Sequence, residues 1–189
     1  MLKKLIRGFL GDERGVAALE FGFALPILLT ILTGCFEAGR LILLHQKLDR
    51  ASAAVADLVT RESSLTVAML NDFYLAAGRQ AMPFDLPGRG RVIVSSVFLP
   101  DVDEDPEVRW QCTDGGAVTG PASIIGTEGG DATLPSTFDL VQGENVIVAE
   151  VLYDYEPFIF DGIFETHTLH HTSYTKPRLD DLLTKPTGC

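Results

Sequence analysis

The chain has 189 residues and carries 26 acidic against 15 basic side chains, for a net charge of −11. That length holds one ordinary domain, or a small domain with an accessory segment, and argues against multidomain enzymes and repeat arrays. The acidic balance disfavours nucleic-acid binding, which draws on clustered Lys and Arg, while a mean hydropathy of +0.19 requires the apolar residues to be concentrated somewhere.

They are concentrated near the N-terminus. Residues 1–15 form a short basic leader with Lys3, Lys4, Arg7 and Arg14. Phe21 to Phe36 then run sixteen positions without a charge, and Val16 to Glu20 extend this to twenty-one positions with Glu20 as the one charge. At ~1.5 Å per residue such a helix spans roughly 31 Å, about one hydrocarbon core. It is apolar all round rather than along one stripe, which suits lipid better than a soluble core. The run is longer than the apolar part of a secretory signal, and no A-x-A site closes it. Basic residues beside a span stay cytoplasmic, which places the bulk of the chain outside. Pro26 lacks an N–H, so a kink or local loosening is expected near Ala24 to Pro26.

Arg14 to Phe21 read R-G-V-A-A-L-E-F, with a Glu at the fifth position after a Gly that closes the leader. This resembles the processing site of type IV prepilins and pseudopilins. With A-L-P at Ala24 to Pro26 and G-x-F-E-x-G-R at Gly34 to Arg40, residues 11–53 resemble the TadE/TadG-like family of the tight-adherence (Tad, or Flp) pilus. Val148 to Pro157 (VAEVLYDYEP) and Lys176 to Arg178 (KPR) also look like later parts of TadE-like proteins. The resemblance implies a pseudopilin or minor pilin cut after Gly15 by a prepilin peptidase, leaving Val16 as the new N-terminus. Glu20 is the assembly carboxylate by the same resemblance, one helical turn from the new amine, with Phe21 and Pro26 as adjoining motif residues. A pair between that carboxylate and a neighbour's amine offsets the cost of burying each charge, and its better-supported value is in register. The leader holds four basic and two acidic side chains, so its loss takes the net charge from −11 to −13.

The partners implied are the inner membrane, the prepilin peptidase, other pilins including a second TadE-like protein, and the pilus assembly platform; nucleic acid is not among them. The implied location is the bacterial inner membrane, single pass, N-terminus cytoplasmic and head periplasmic, with passage into an extracellular pilus. Leu32 to Cys35 (L-T-G-C) carries a competing signal, the lipobox of a lipoprotein acylated at Cys35. Glu20, Pro26 and the helical pattern beyond Cys35 weigh against it. An uncleaved membrane-anchored binding module is the other alternative.

Beyond the span, Glu37 and Arg40 can pair on one helix face. Leu41, Leu44, Leu48, Ala51, Val55 and Leu58 keep a helical spacing, so the helix is predicted to continue as a stalk to about residue 60. Ser63 or Ser64 can cap a second helix over Leu65 to Gln80, stopped by Pro83 and Pro87, with P-G-R-G-R as a turn. Strands are predicted at Arg91 to Leu99, Glu107 to Thr113, Asn145 to Tyr155 and Glu165 to Thr175, with a long loop at Gly115 to Pro135. The expected class is α+β: a long membrane helix continuing into a stalk, a second helix, and a small antiparallel pilin-like head. The division is 1–15 leader, 16–60 span and stalk, and 61–189 head.

Cys112 and Cys189 fall outside the membrane, where oxidation is favoured, and a bridge between them is the leading reading beside free thiols or an intermolecular link. Asp101, Asp103, Asp105 and Glu107 resemble the start of a calcium loop, but Pro106 and Cys112 stand where Gly and Glu are needed, so a solvated acidic turn fits better. On a strand His167 and His171 face one side and His170 the other, which does not favour a metal site. His45 carries no signal, and Trp110 reads as a core residue. No catalytic, zinc or phosphate-loop motif appears, so neither an enzyme nor a cofactor is expected.

Overall fold

The structure is a computed structural model that describes residues 14–101, 105–113, 116–118, 122–136, 138, 140–158, 166–179 and 184–189. The leader up to residue 13 and Asp103 of the acidic turn lie outside the described residues. Among the described residues three helices and four strands follow in order: α1 (Arg14–Val59), α2 (Val67–Ala81), α3 (Leu86–Arg89), β1 (Gly90–Phe98), β2 (Glu107–Thr113), β3 (Asn145–Tyr155) and β4 (His167–Thr175). The strands make one antiparallel sheet in the order β2-β1-β3-β4. The class is α+β, with a long apolar N-terminal helix.

α1 is 46 residues long and stays helical through Pro26. Pro26 cannot donate to the carbonyl one turn back, but its own carbonyl accepts from the Thr30 hydroxyl at 2.8 Å. From Val16 to Phe36 the large apolar side chains are exposed, without a protein core around them. From Glu37 onward one stripe is buried: Leu44, Leu48, Ala51, Val55, Ala56 and Val59. The spacing is three or four residues, so a single face enters the core. Each Leu or Val buried there contributes roughly 1.5–3 kcal/mol.

α2 begins later than the serines suggest. Its N-cap is Thr66, in an extended conformation, with its hydroxyl accepting from the Met69 N–H at 3.3 Å. The reason is apolar: half-buried Leu65 precedes the cap and buried Leu70 follows it in the same core, so Leu65 sets where the chain enters the helix. The helix stops at Ala81, because Met82 precedes Pro83 and takes ψ of 138°. The P-G-R-G-R segment is not a plain turn. Asp85 accepts from the Gly88 N–H at 3.0 Å and starts the one-turn α3, with Pro87 in its first turn where a missing N–H costs nothing.

The sheet has a core on each face. Val92, Val94, Trp110, Cys112, Ile147, Ala149, Val151, Tyr153 and Tyr155 meet α1 and α2. Val97, Leu99, Val108, Val146 and Val148 face the other way, onto Ile125 and Leu140. Val108 and Trp110 are two apart and would share a face on a regular strand. A bulge between Ser96/Val97 and the opposed Val108/Trp110 breaks that rule and sends them to opposite cores. The described part of the Gly115 to Pro135 stretch is irregular but not merely solvent-facing. It bridges to β2 at Glu107 and Asp131, and Ile125 is fully buried. Gly126 takes φ of +131°, and a Cβ there would lie 2.6 Å from the Asp131 carbonyl oxygen, a position that only glycine fills without strain.

Cys112 and Cys189 are joined, with Cα atoms 5.5 Å apart across a separation of 77 residues. The bond ties the C-terminal tail to an edge strand. Cys189→Ser is expected to lower head stability by about 2–4 kcal/mol through the freed unfolded chain, measured by urea unfolding with Trp110 fluorescence. An unchanged midpoint would show that the tail contributes nothing to the fold.

Candidate assembly helix and its junction with the head

The sequence-predicted assembly residues lie together on the bare part of α1. Gly15, Val16, Glu20, Phe21 and Pro26 are all exposed. Glu20 has no ion-pair partner among the described residues. Among the described residues one helix is long and apolar enough to cross a membrane, and its most apolar window is wholly unburied. Cys35 is a free, exposed thiol within that helix.

The bare segment ends at a built junction. Glu37 is 0% exposed. Its Oε1 accepts from the Tyr155 hydroxyl at 2.5 Å, and its Oε2 from the Phe158 backbone N–H at 3.1 Å. Arg40, one turn on, lies 3.5 Å from Glu37 Oε1 and donates to the Glu156 carbonyl at 3.5 Å. Its guanidinium also stands 5.7 Å from the ring centres of both Phe84 and Phe158. Glu156 pairs in turn with Arg89. The G-x-F-E-x-G-R end of the bare segment and the Y-D-Y-E-P end of β3 therefore meet in space. A buried carboxylate with these donors holds the free helix to the sheet. Removing a partner leaves a charge without solvent, at a cost of about 3–5 kcal/mol.

The far end of α1 is held as well. Asp57 accepts from Arg61 at 2.5 Å and from Arg178 at 2.7 Å. The Arg178 N–H donates to the Thr60 carbonyl at 3.1 Å, and Lys176 binds Glu144 at 2.6 Å. The K-P-R segment thus carries the exit of β4 back to the end of α1.

The histidines divide between the faces of β4. His170 Nε2 is 2.9 Å from Oε1 of fully buried Glu150. Glu150 also accepts from the Ser123 hydroxyl and from the Ile124 N–H at 3.0 Å. Its lone pairs are taken up by donors that clasp the 123–125 loop to the sheet. His171 faces α1, with Nδ1 2.5 Å from Asp49 and Nε2 2.9 Å from His45 Nδ1. A carboxylate can only accept, so His171 Nδ1 carries a proton toward Asp49, and its Nε2 shares a hydrogen bond with His45 Nδ1. His45 is thus a contact between helix and sheet, which its sequence context did not reveal. Among the described residues no three His, Cys, Asp or Glu side chains cluster to hold a metal.

Comparison with known families places a name on the first part of this arrangement. Residues 15–57 match the family described as TadE-like protein. This segment is TadE-like. The match spans the whole bare helix, the Glu37–Arg40 exit and the packed seam as far as Asp57. Comparison with curated proteins and with solved structures gives no match. The partners of the TadE-like segment in the head, Tyr155, Glu156 and Arg178, lie outside the matched range.

Burial and the Glu37 carboxylate push the Tyr155 phenol up to about 12. The unfolded phenol titrates near 10. The neutral form is favoured by folding, so this contribution is complete below pH 10 and is lost as pH rises through about 12. An absorbance titration of the phenols should show one late step near 12 that Tyr155→Phe removes. Glu37→Gln should lower that step while leaving it above 10, because burial, the largest single cause, remains. A Tyr155 step at its ordinary value would contradict the junction.

Proposed function

We propose that this chain is a pseudopilin or minor pilin of a tight-adherence pilus. One observation carries the reading: a TadE-like helix whose first half is bare and apolar and whose second half is packed into a head. In this reading residues 1–15 are a leader cut after Gly15 by a prepilin peptidase. Residues 16–60 are the span and stalk, and 61–189 the periplasmic head. The N-terminus faces the cytoplasm until cleavage. The new Val16 amine and Glu20 then pair between neighbouring subunits, while Phe21 to Phe36 exchange lipid for the helices of other pilins. The head joins an initiating or tip assembly through contacts with other pilins, a second TadE-like protein and the assembly platform.

The work is mechanical, and the chain is a substrate of the peptidase rather than an enzyme. Two features support that reading. Glu150, the buried carboxylate on the outer face, is occupied by structural donors. Glu37 is likewise engaged in joining helix to head. An uncleaved anchored module and a lipoprotein acylated at Cys35 are the competing readings. Continuous helix from Val16 through Cys35 favours a span over a discarded signal.

Intact mass and N-terminal sequencing of the protein from host membranes separate these readings. The expected chain begins at Val16. A Met1 start in the presence of active peptidase would leave the anchored module, and an acylated Cys35 would leave the lipoprotein. Glu20→Ala should be cleaved normally yet fail to enter pili, as read by pilus shearing and immunoblot.

A further inference from the structure

The junction displays a second apolar surface that the packing of α1 does not use. Phe158 stands three residues beyond the end of β3 and is 72% exposed. Its position is nevertheless fixed, because its backbone N–H is held by the buried Glu37 carboxylate at 3.1 Å. Phe36, the last residue of the bare apolar run, is 57% exposed, with its ring centre 6.4 Å from that of Phe158. Arg40 stands over the Phe158 ring, with part of its side chain open to solvent. This surface is continuous with the bare face of α1, so the solvent that covers Phe36 also reaches Phe158.

We propose that the head docks on the outer surface of the phospholipid bilayer through Phe158, with Phe36 beside it and Arg40 at headgroup level. Aromatic rings and a snorkelling guanidinium are the side chains suited to that depth, with apolar bodies toward the acyl chains and a cation beside phosphate. The docking rests on the reading of α1 as a membrane span. It adds a second attachment that limits the tilt of the head, since a helix alone leaves the tilt free. Glu37 does not touch lipid here; it positions Phe158.

Tryptophan depth measurements on the full chain test this. The chain is reconstituted in phosphatidylcholine–phosphatidylglycerol vesicles that carry bromines either high or low on the acyl chains. Native Trp110 is fully buried and gives a constant background. Phe158→Trp should emit to the blue of an exposed indole and be quenched most by the shallow bromines. Leu28→Trp, in mid-span, should be quenched most by the deep ones. Val141→Trp, exposed beyond the far end of β3 and roughly 30 Å away along the strand, should be quenched by neither. Quenching at position 28 with a water-exposed indole at 158 would overturn docking and leave the span intact. Absence of quenching at both positions would overturn the span and the docking together. A blue-shifted but unquenched indole at 158 would assign the surface to a second protein and overturn the lipid assignment.

Discussion

In the proposed reading one helix satisfies two solvents, and the buried carboxylate of Glu37 marks where they change. Before it, α1 shows apolar side chains on every side. After it, the same helix buries one stripe and exposes the rest. A single continuous element can do both because helical geometry does not depend on what surrounds the side chains; every backbone bond is internal. What the surroundings decide is the pattern, all-round in lipid and one-sided against a core. Glu37 lies seven residues before Leu44, on the same stripe, so it is the first residue of the packed seam and the one polar member at its start. Its charge is held by Tyr155 and by the Phe158 amide. A free apolar rod attached to a head by an unstructured link could not transmit position from one to the other. A rod joined through a buried charge can.

The rest of the fold serves that join. The sheet offers α1 one apolar face, and the C-terminal end of β3 delivers Tyr155 to the point where the helix leaves the head. At the other end Asp57 takes Arg178, so the helix is fastened at both limits of its packed half. Among the described residues no helix covers the second face of the sheet. The described part of the long glycine-rich stretch covers it, held by Ile125 packing and by the Glu150 clasp. The bulge in β2 is what lets one short strand serve both cores. The disulfide closes the tail onto the same strand.

Much of this was legible from spacing. The end of α1, the limits of β2 and β3, and the split of His170 from His171 follow from helical and strand periodicity. Glu37 and Arg40 were visible as a pair three apart, but the burial of Glu37 was not. Its partner Tyr155 lies 118 residues away, and no local rule connects them. The seven-residue step to Leu44 was the available clue. His45 offered less; only Asp49, one turn on, hinted at a polar seam. Ser63 and Ser64 are better caps by composition than by context, because Leu65 had to be buried first. The glycine-rich stretch reads as loop from its residues, and its role as a cover depends on a sheet face that exists only after folding. The roles proposed for Gly15, Val16 and Glu20 rest on motif alone, and the bare helix leaves Glu20 without an ion-pair partner among the described residues.

The account stands on α1 changing solvents at Glu37 while remaining one helix. Nitroxide scanning of residues 16–60 in bilayers, with oxygen and a water-soluble nickel complex as relaxants, addresses this directly. The account requires oxygen contact at every position from Val16 to Phe36. Beyond Glu37 it requires an alternation of three to four residues, with minima at Leu44, Leu48 and Val55. Nickel contact throughout 16–36, or a buried stripe running unbroken from Val16 to Val59, would contradict it.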